Sequence, residues 1–82
     1  MPKTAIAYEV EFRLTHFIVT EAPAETAKAP MGWETLRTLS AVKSYLRSWR
    51  PYFGHNNRES ARRFTEAVNL FTRADLGRTI TF

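Results

Sequence analysis

The chain has 82 residues, no cysteine and a formal charge of +4, so it builds one small core, forms no disulfide and offers no thiolate to a metal or a reaction. A hydrophobic fraction of 44% and an aromatic fraction of 13%, with three glycines and four prolines, belong to a chain that folds and not to a low-complexity or disordered one. The charge is unevenly placed: residues 1–34 carry three basic and five acidic side chains, residues 35–82 carry nine and three, and eight of those nine cations are arginines.

In region 1–20, Ile6, Tyr8, Val10, Phe12 and Leu14 are apolar at alternate positions with Ala7, Glu9, Glu11 and Arg13 between them, the period of a half-buried strand. The parity shifts at Thr15 and His16, after which Phe17 and Val19 are apolar. A shift requires an extra residue or a reversal of direction. A straight strand from Thr4 to Thr20 would be roughly 55 Å long, about twice the diameter of so small a domain. Thr15-His16 lacks the Asn-Gly or Gly-X chemistry of a tight hairpin. The region therefore reads either as one bulged strand or as an antiparallel hairpin.

Residues 21–32 have two prolines and no aromatic and are expected to be an exposed linker with room for a short helical turn. Over 33–50, opened by Trp33, the apolar residues Leu36, Leu39, Val42, Tyr45, Leu46 and Trp49 fall on one helical face. Pro51 is expected to stop that helix at Arg50. A turn at 51–57 ends in Asn56, which with Glu59 has the spacing of a capping box. A second helix over 58–76 then carries the stripe Ala61, Phe64, Ala67, Val68, Phe71 and Ala74, with Gly77 as its C-terminal stop. Residues 78–82 alternate as a strand. The expected fold is α+β: a small single domain with an N-terminal antiparallel strand or bulged hairpin, two amphipathic helices packed on the sheet, and a short C-terminal strand.

The reactive groups are scattered. Three of the four serines lie on the polar side of the first helix, and His16 and His55 belong to different elements, so neither a nucleophilic triad nor a ligand set for a metal is indicated. Glu9 and Glu11 share one strand face and read as solvated glutamates, and the three glycines are isolated and form no phosphate loop. A non-enzymatic protein without cofactor or metal is expected. The start lacks a signal peptide's apolar run, and no stretch approaches the ~20 apolar residues that span a bilayer, which predicts a soluble, cytoplasmic protein without membrane contact.

The arginines then carry the functional reading. Arg37, Lys43, Arg47 and Arg50, interleaved with Ser40, Ser44 and Ser48, form a donor-rich stripe that almost no acid balances, because Glu34 is the only one between Lys28 and Glu59. Arg62 and Arg63 sit among Glu59 and Glu66 and are explained by pairing along the helix; Arg58 is the exception. Tyr52, Phe53 and His55 lie in a turn bounded by Pro51 and Gly54, where side chains are accessible to a partner. The predicted contact residues are thus Arg37, Lys43, Arg47, Arg50, Tyr52, Phe53, His55 and Arg58.

In size and composition alone the chain resembles the small, cysteine-free inhibitors encoded by phages and mobile elements, anti-CRISPR proteins among them. That resemblance names no residue. The absent active site, the one-sided Arg surface and the exposed aromatic candidates, with that resemblance beside them, lead to the expectation of an inhibitor or adaptor that docks through its Arg-rich face on the anionic surface of a protein or nucleoprotein complex. The alternative is a nucleic-acid-binding protein with little sequence selectivity, its cations on phosphates. The C-terminal strand offers a sheet edge through which a homodimer could form in place of a monomer.

Overall fold

A computed structural model describes residues 5–82; Met1 to Thr4, the start of the expected strand region, lie outside the described residues. Strand β1 (Ile6–Phe12) turns into β2 (His16–Pro23), and β3 (Thr79–Thr81) pairs with the far side of β2, making a three-stranded antiparallel sheet in the order β1-β2-β3. The parity shift is a reversal and not a bulge. Val10 pairs with Val19 and Phe12 with Phe17; opposed residues share a face, so two apolar runs of different parity merge into one apolar surface. The turn is closed by the Arg13 N–H, which donates to the His16 carbonyl at 2.8 Å. Every positive-φ residue described is a glycine, which is why no Asn-Gly signature marks this turn.

On the other face of the sheet, Glu9 accepts the Lys28 backbone N–H at 3.1 Å. This bond draws the segment after β2 back toward β1, where Ala7, on the same face as Glu9, is fully buried. The linker is shorter than expected, because β2 continues to Pro23 against Ile6, and it opens with the anticipated turn, in which the Thr26 and Ala27 N–H groups donate to the Pro23 carbonyl.

The first helix, α1, spans Leu39–Arg47 and not 33–50. Its N-terminal limit has a definite cause. The Tyr8 N–H donates to the Leu36 carbonyl at 2.8 Å, holding Leu36 as an extended bridge on the open edge of β1. Thr38 then caps the helix, its hydroxyl accepting the Ala41 N–H at 3.0 Å. Trp33 lies outside the helix, set edge-on against Tyr45. At the other end Pro51 does not stop a helix at Arg50. It sits in the first turn of a 3-10 segment, Arg50–Phe53, where a missing N–H costs nothing.

The second helix, α2, spans Arg58–Leu70 and not 58–76. Phe71 turns extended at φ −63° and ψ 132° and is buried there. Thr72 and Asp75 then form a capping box that starts a separate 3-10 turn at Arg73–Asp75. The expected capping box at Asn56 is not formed. A 3-10 turn at His55–Asn57 occupies that stretch, Asn57 precedes the helix without a side-chain bond, and Glu59 is engaged by Arg62.

The core is an aromatic assembly. All six phenylalanines touch one another in a continuous network: Phe12 and Phe17 from the hairpin, Phe53 from the 3-10 turn, Phe64 and Phe71 from α2 and its exit, and Phe82 from the C-terminus. Leu36, Val42, Leu46 and Val68 fill the space beside it and are buried. Leu39, which the helical stripe assigns to the interior, is only partly buried against this cluster. Leu46→Ala should therefore cost about 2–5 kcal/mol and Leu39→Ala clearly less; urea denaturation of the two variants measures the difference.

Candidate anion-binding groove

The candidate site lies where α1 gives way to α2. Phe53 is inserted against Phe12, Phe64 and Phe82 at ring separations of 6.2, 5.3 and 5.7 Å, which pins the connecting turn to the core. Gly54 then adopts φ 68° and ψ −177°, a conformation that side-chain-bearing residues avoid, and the chain swings through His55–Asn57 into α2. The result is an open groove of about 770 Å³. Arg47 and Arg50 come from the end of α1 and the turn after it, His55 from the second turn, and Arg58 and Arg62 from successive turns of α2. Its apolar floor is Pro51 and Ala61. Among the described residues no carboxylate lines it.

These cations differ in their bonding. The Arg62 Nη1 donates to Glu66 at 2.8 Å, and the same guanidinium grips Glu59; that bond and the arginine charge hold the Glu59 carboxyl below the ordinary glutamate range. The Arg47 Nη2 donates to Asn69 Oδ1 at 2.9 Å, and Lys43 Nζ donates to the Asn69 carbonyl at 3.2 Å. Both cations thus lie at the last turn of α2, where unpaired carbonyls and the negative end of the helix dipole favour them. Arg50 and Arg58 make no hydrogen bond or ion pair among the described residues.

Four of the eight contact residues expected from the sequence are therefore brought together: Arg47, Arg50, His55 and Arg58. Lys43 stands beside the groove, occupied at Asn69. Arg37 does not belong to the stripe, because it precedes Thr38 and so lies before the helix that would have aligned it. Phe53 is not a contact residue: it is 4% exposed and packed in the core, since burying so large a ring outweighs its position in a turn. Tyr52 is 62% exposed, but lines a separate hollow of about 220 Å³ with Phe12, Arg13, Leu14 and Trp49. The sequence explains Arg62 by pairing alone; its four-residue spacing from Arg58 on one helix face is the signal that adds it to the groove.

Among the described residues no three His, Asp or Glu side chains gather into a possible metal site, and no helix is long and apolar enough to cross a membrane. Comparison with known proteins finds no match: no family model, no curated protein and no solved structure is significantly similar to this chain.

Two outcomes follow from this geometry. Phe53→Ala should destabilise the fold by about 3–5 kcal/mol, as a core truncation does, measured by urea denaturation. The Glu59 carboxyl, followed by NMR, should titrate below the ordinary glutamate range and return toward it in Arg62→Ala. The sign is fixed by the lowered folded-state value: the pair stabilises above the unfolded pKa of Glu59, and that contribution is lost as pH falls through the folded pKa.

Proposed function

We propose that the protein is a non-catalytic binding module, an inhibitor or adaptor, that docks this groove on the anionic surface of a protein or nucleoprotein complex. The observation that carries the reading is the gathering of four arginines and a histidine around one groove with no carboxylate among the described residues that line it. Solvated arginines are ordinarily interspersed with acids, as Arg62 is with Glu59 and Glu66. Arg50 and Arg58 form no ion pair among the described residues, and together with Arg47 they leave the groove an uncompensated positive field for an anion to answer. Arginine also suits the task chemically, since its planar fork binds oxyanions in pairs of hydrogen bonds and is more weakly hydrated than lysine's ammonium.

A chain with a single small core and dispersed reactive groups acts more readily by covering a partner's surface than by turning over a substrate. Nothing in this reading requires a cofactor, and a soluble cytoplasmic protein acting stoichiometrically is its simplest form.

Immobilised protein with Arg50→Glu and Arg58→Glu together should lose the partner that the unaltered chain captures from lysate, with and without nuclease. Arg37→Glu, outside the groove, should keep it. Exposed substitutions of this kind change stability by only about 0.5 kcal/mol each, and circular dichroism confirms the fold. Equal capture by the doubly reversed protein would overturn the proposal.

A further inference from the structure

The groove also holds information about the kind of anion, and the inference drawn from it rests on the docking reading above. A carboxylate carries one charge and two oxygens, and a single guanidinium fork satisfies it. Here Arg50 and Arg58 are both unpaired among the described residues, and both face one groove with Arg47 and His55. Such convergence suits a ligand that brings closely spaced charges and more acceptor oxygens than a carboxylate has, as successive phosphates do.

The floor adds a second requirement. Pro51 and Ala61 are apolar, and at Gly54 even a Cβ would meet nothing within 4 Å, so space remains beside the cations for a flat, uncharged group. Guanidinium planes and aromatic rings are surfaces on which unpaired bases stack, and Arg50, Arg58 and the His55 ring bring such surfaces to the groove. At about 770 Å³ and open to solvent, the groove has room for part of a strand laid along it, and only a strand with unpaired bases can offer a base face to its floor. We propose that it binds single-stranded nucleic acid, with Arg50 and Arg58 as the phosphate anchors, Arg47 as a further cation, and the Pro51–Ala61 floor beneath a base.

Fluorescence anisotropy with the full chain tests this. The probe is a labelled mixed-sequence single strand of about 12 nucleotides, within the usual site sizes of strand-binding proteins; a duplex of the same length, ATP and a glutamate-rich peptide of equal charge serve as competitors. The single strand should bind with a log–log salt slope near −2, for about three phosphates neutralised at roughly −0.7 each. Replacing Arg50 and Arg58 together by Ala should make that slope shallower by about 1.4, whereas Arg37→Ala should leave it unchanged. Arg50→Lys, which keeps the charge and loses the fork, should retain the slope and weaken binding. Duplex and peptide should compete at least tenfold less well than the unlabelled strand; competition by ATP alone would assign the groove to free nucleotides and overturn the strand proposal.

A peptide that competes as well as the strand would overturn the phosphate assignment and leave the docking reading standing. So would failure to bind any nucleic acid at low salt by a chain that still captures its cellular partner through Arg50 and Arg58. An unchanged salt slope in the double alanine variant, folded by circular dichroism, would remove those residues as anchors.

Discussion

The contact on which the rest of the structure depends is the meeting of phenylalanine rings from every part of the chain. Phe12 and Phe17 come from the first hairpin, Phe53 from the turn between the helices, Phe64 and Phe71 from the second helix and its exit, and Phe82 from the C-terminus. None of these segments is stable alone. A two-stranded hairpin is marginal in water, and helices of nine and thirteen residues are at or below the length at which isolated helices persist. Burying one such ring contributes about 1.5–3 kcal/mol, so a shared cluster makes each segment's order conditional on the others.

That cluster also decides where the cations go. Phe53 is drawn inward from a turn flanked by Arg50 and His55, and its burial fixes the two neighbours at the surface on either side. A second aromatic line extends outward from the same place. Trp49 stacks on Phe12 at 5.0 Å with its ring nearly parallel, and Tyr45 and Tyr52 meet Trp49 edge-on. The backbone between Tyr45 and Phe53 is thus held by rings at four positions. Arginines carried on such a frame lose less freedom when they bind than arginines on a loose loop would.

The parts of this architecture that were legible in the sequence are those written in local periodicity. Alternation from Ile6 to Phe12 marks a strand, the stripe from Val42 to Leu46 marks a helix, and the stripe from Ala61 to Val68 marks another. The misjudged limits are those set by distant partners. Trp33 to Arg37 fits a helical stripe, yet Leu36 is taken by the edge of β1 through the Tyr8 N–H, a bond between residues 28 positions apart that periodicity cannot express. Phe71 fits the second helix's stripe as well, but reaches its place against Phe17 by leaving the helix. The site divides in the same way. The imbalance of charge was visible as composition, whereas the separation of Arg37 from Arg47, and the burial of Phe53 beside exposed Tyr52, depend on where the helix begins and which ring the core accepts.

A last consequence concerns how the groove keeps its charge concentrated. Lys43 and Arg47 both bond to Asn69, so two of the cations expected to serve a partner also fasten the second half of α1 to the end of α2. This tie is electrostatically economical: it answers the carbonyls that the end of α2 leaves unpaired, and it leaves Arg47 with donors still facing the groove. Arg62 is held by Glu59 and Glu66 in the same fashion. Arg62 is thus braced within its own helix and Lys43 and Arg47 by the other one, whereas Arg50 and Arg58 are left without partners among the described residues. With only Arg62 of the groove's arginines paired to carboxylates among the described residues, the charges of Arg47, Arg50 and Arg58 add in one groove, and for a protein of net charge +4 that focusing, more than the total charge, is what distinguishes a binding groove from a solvated face.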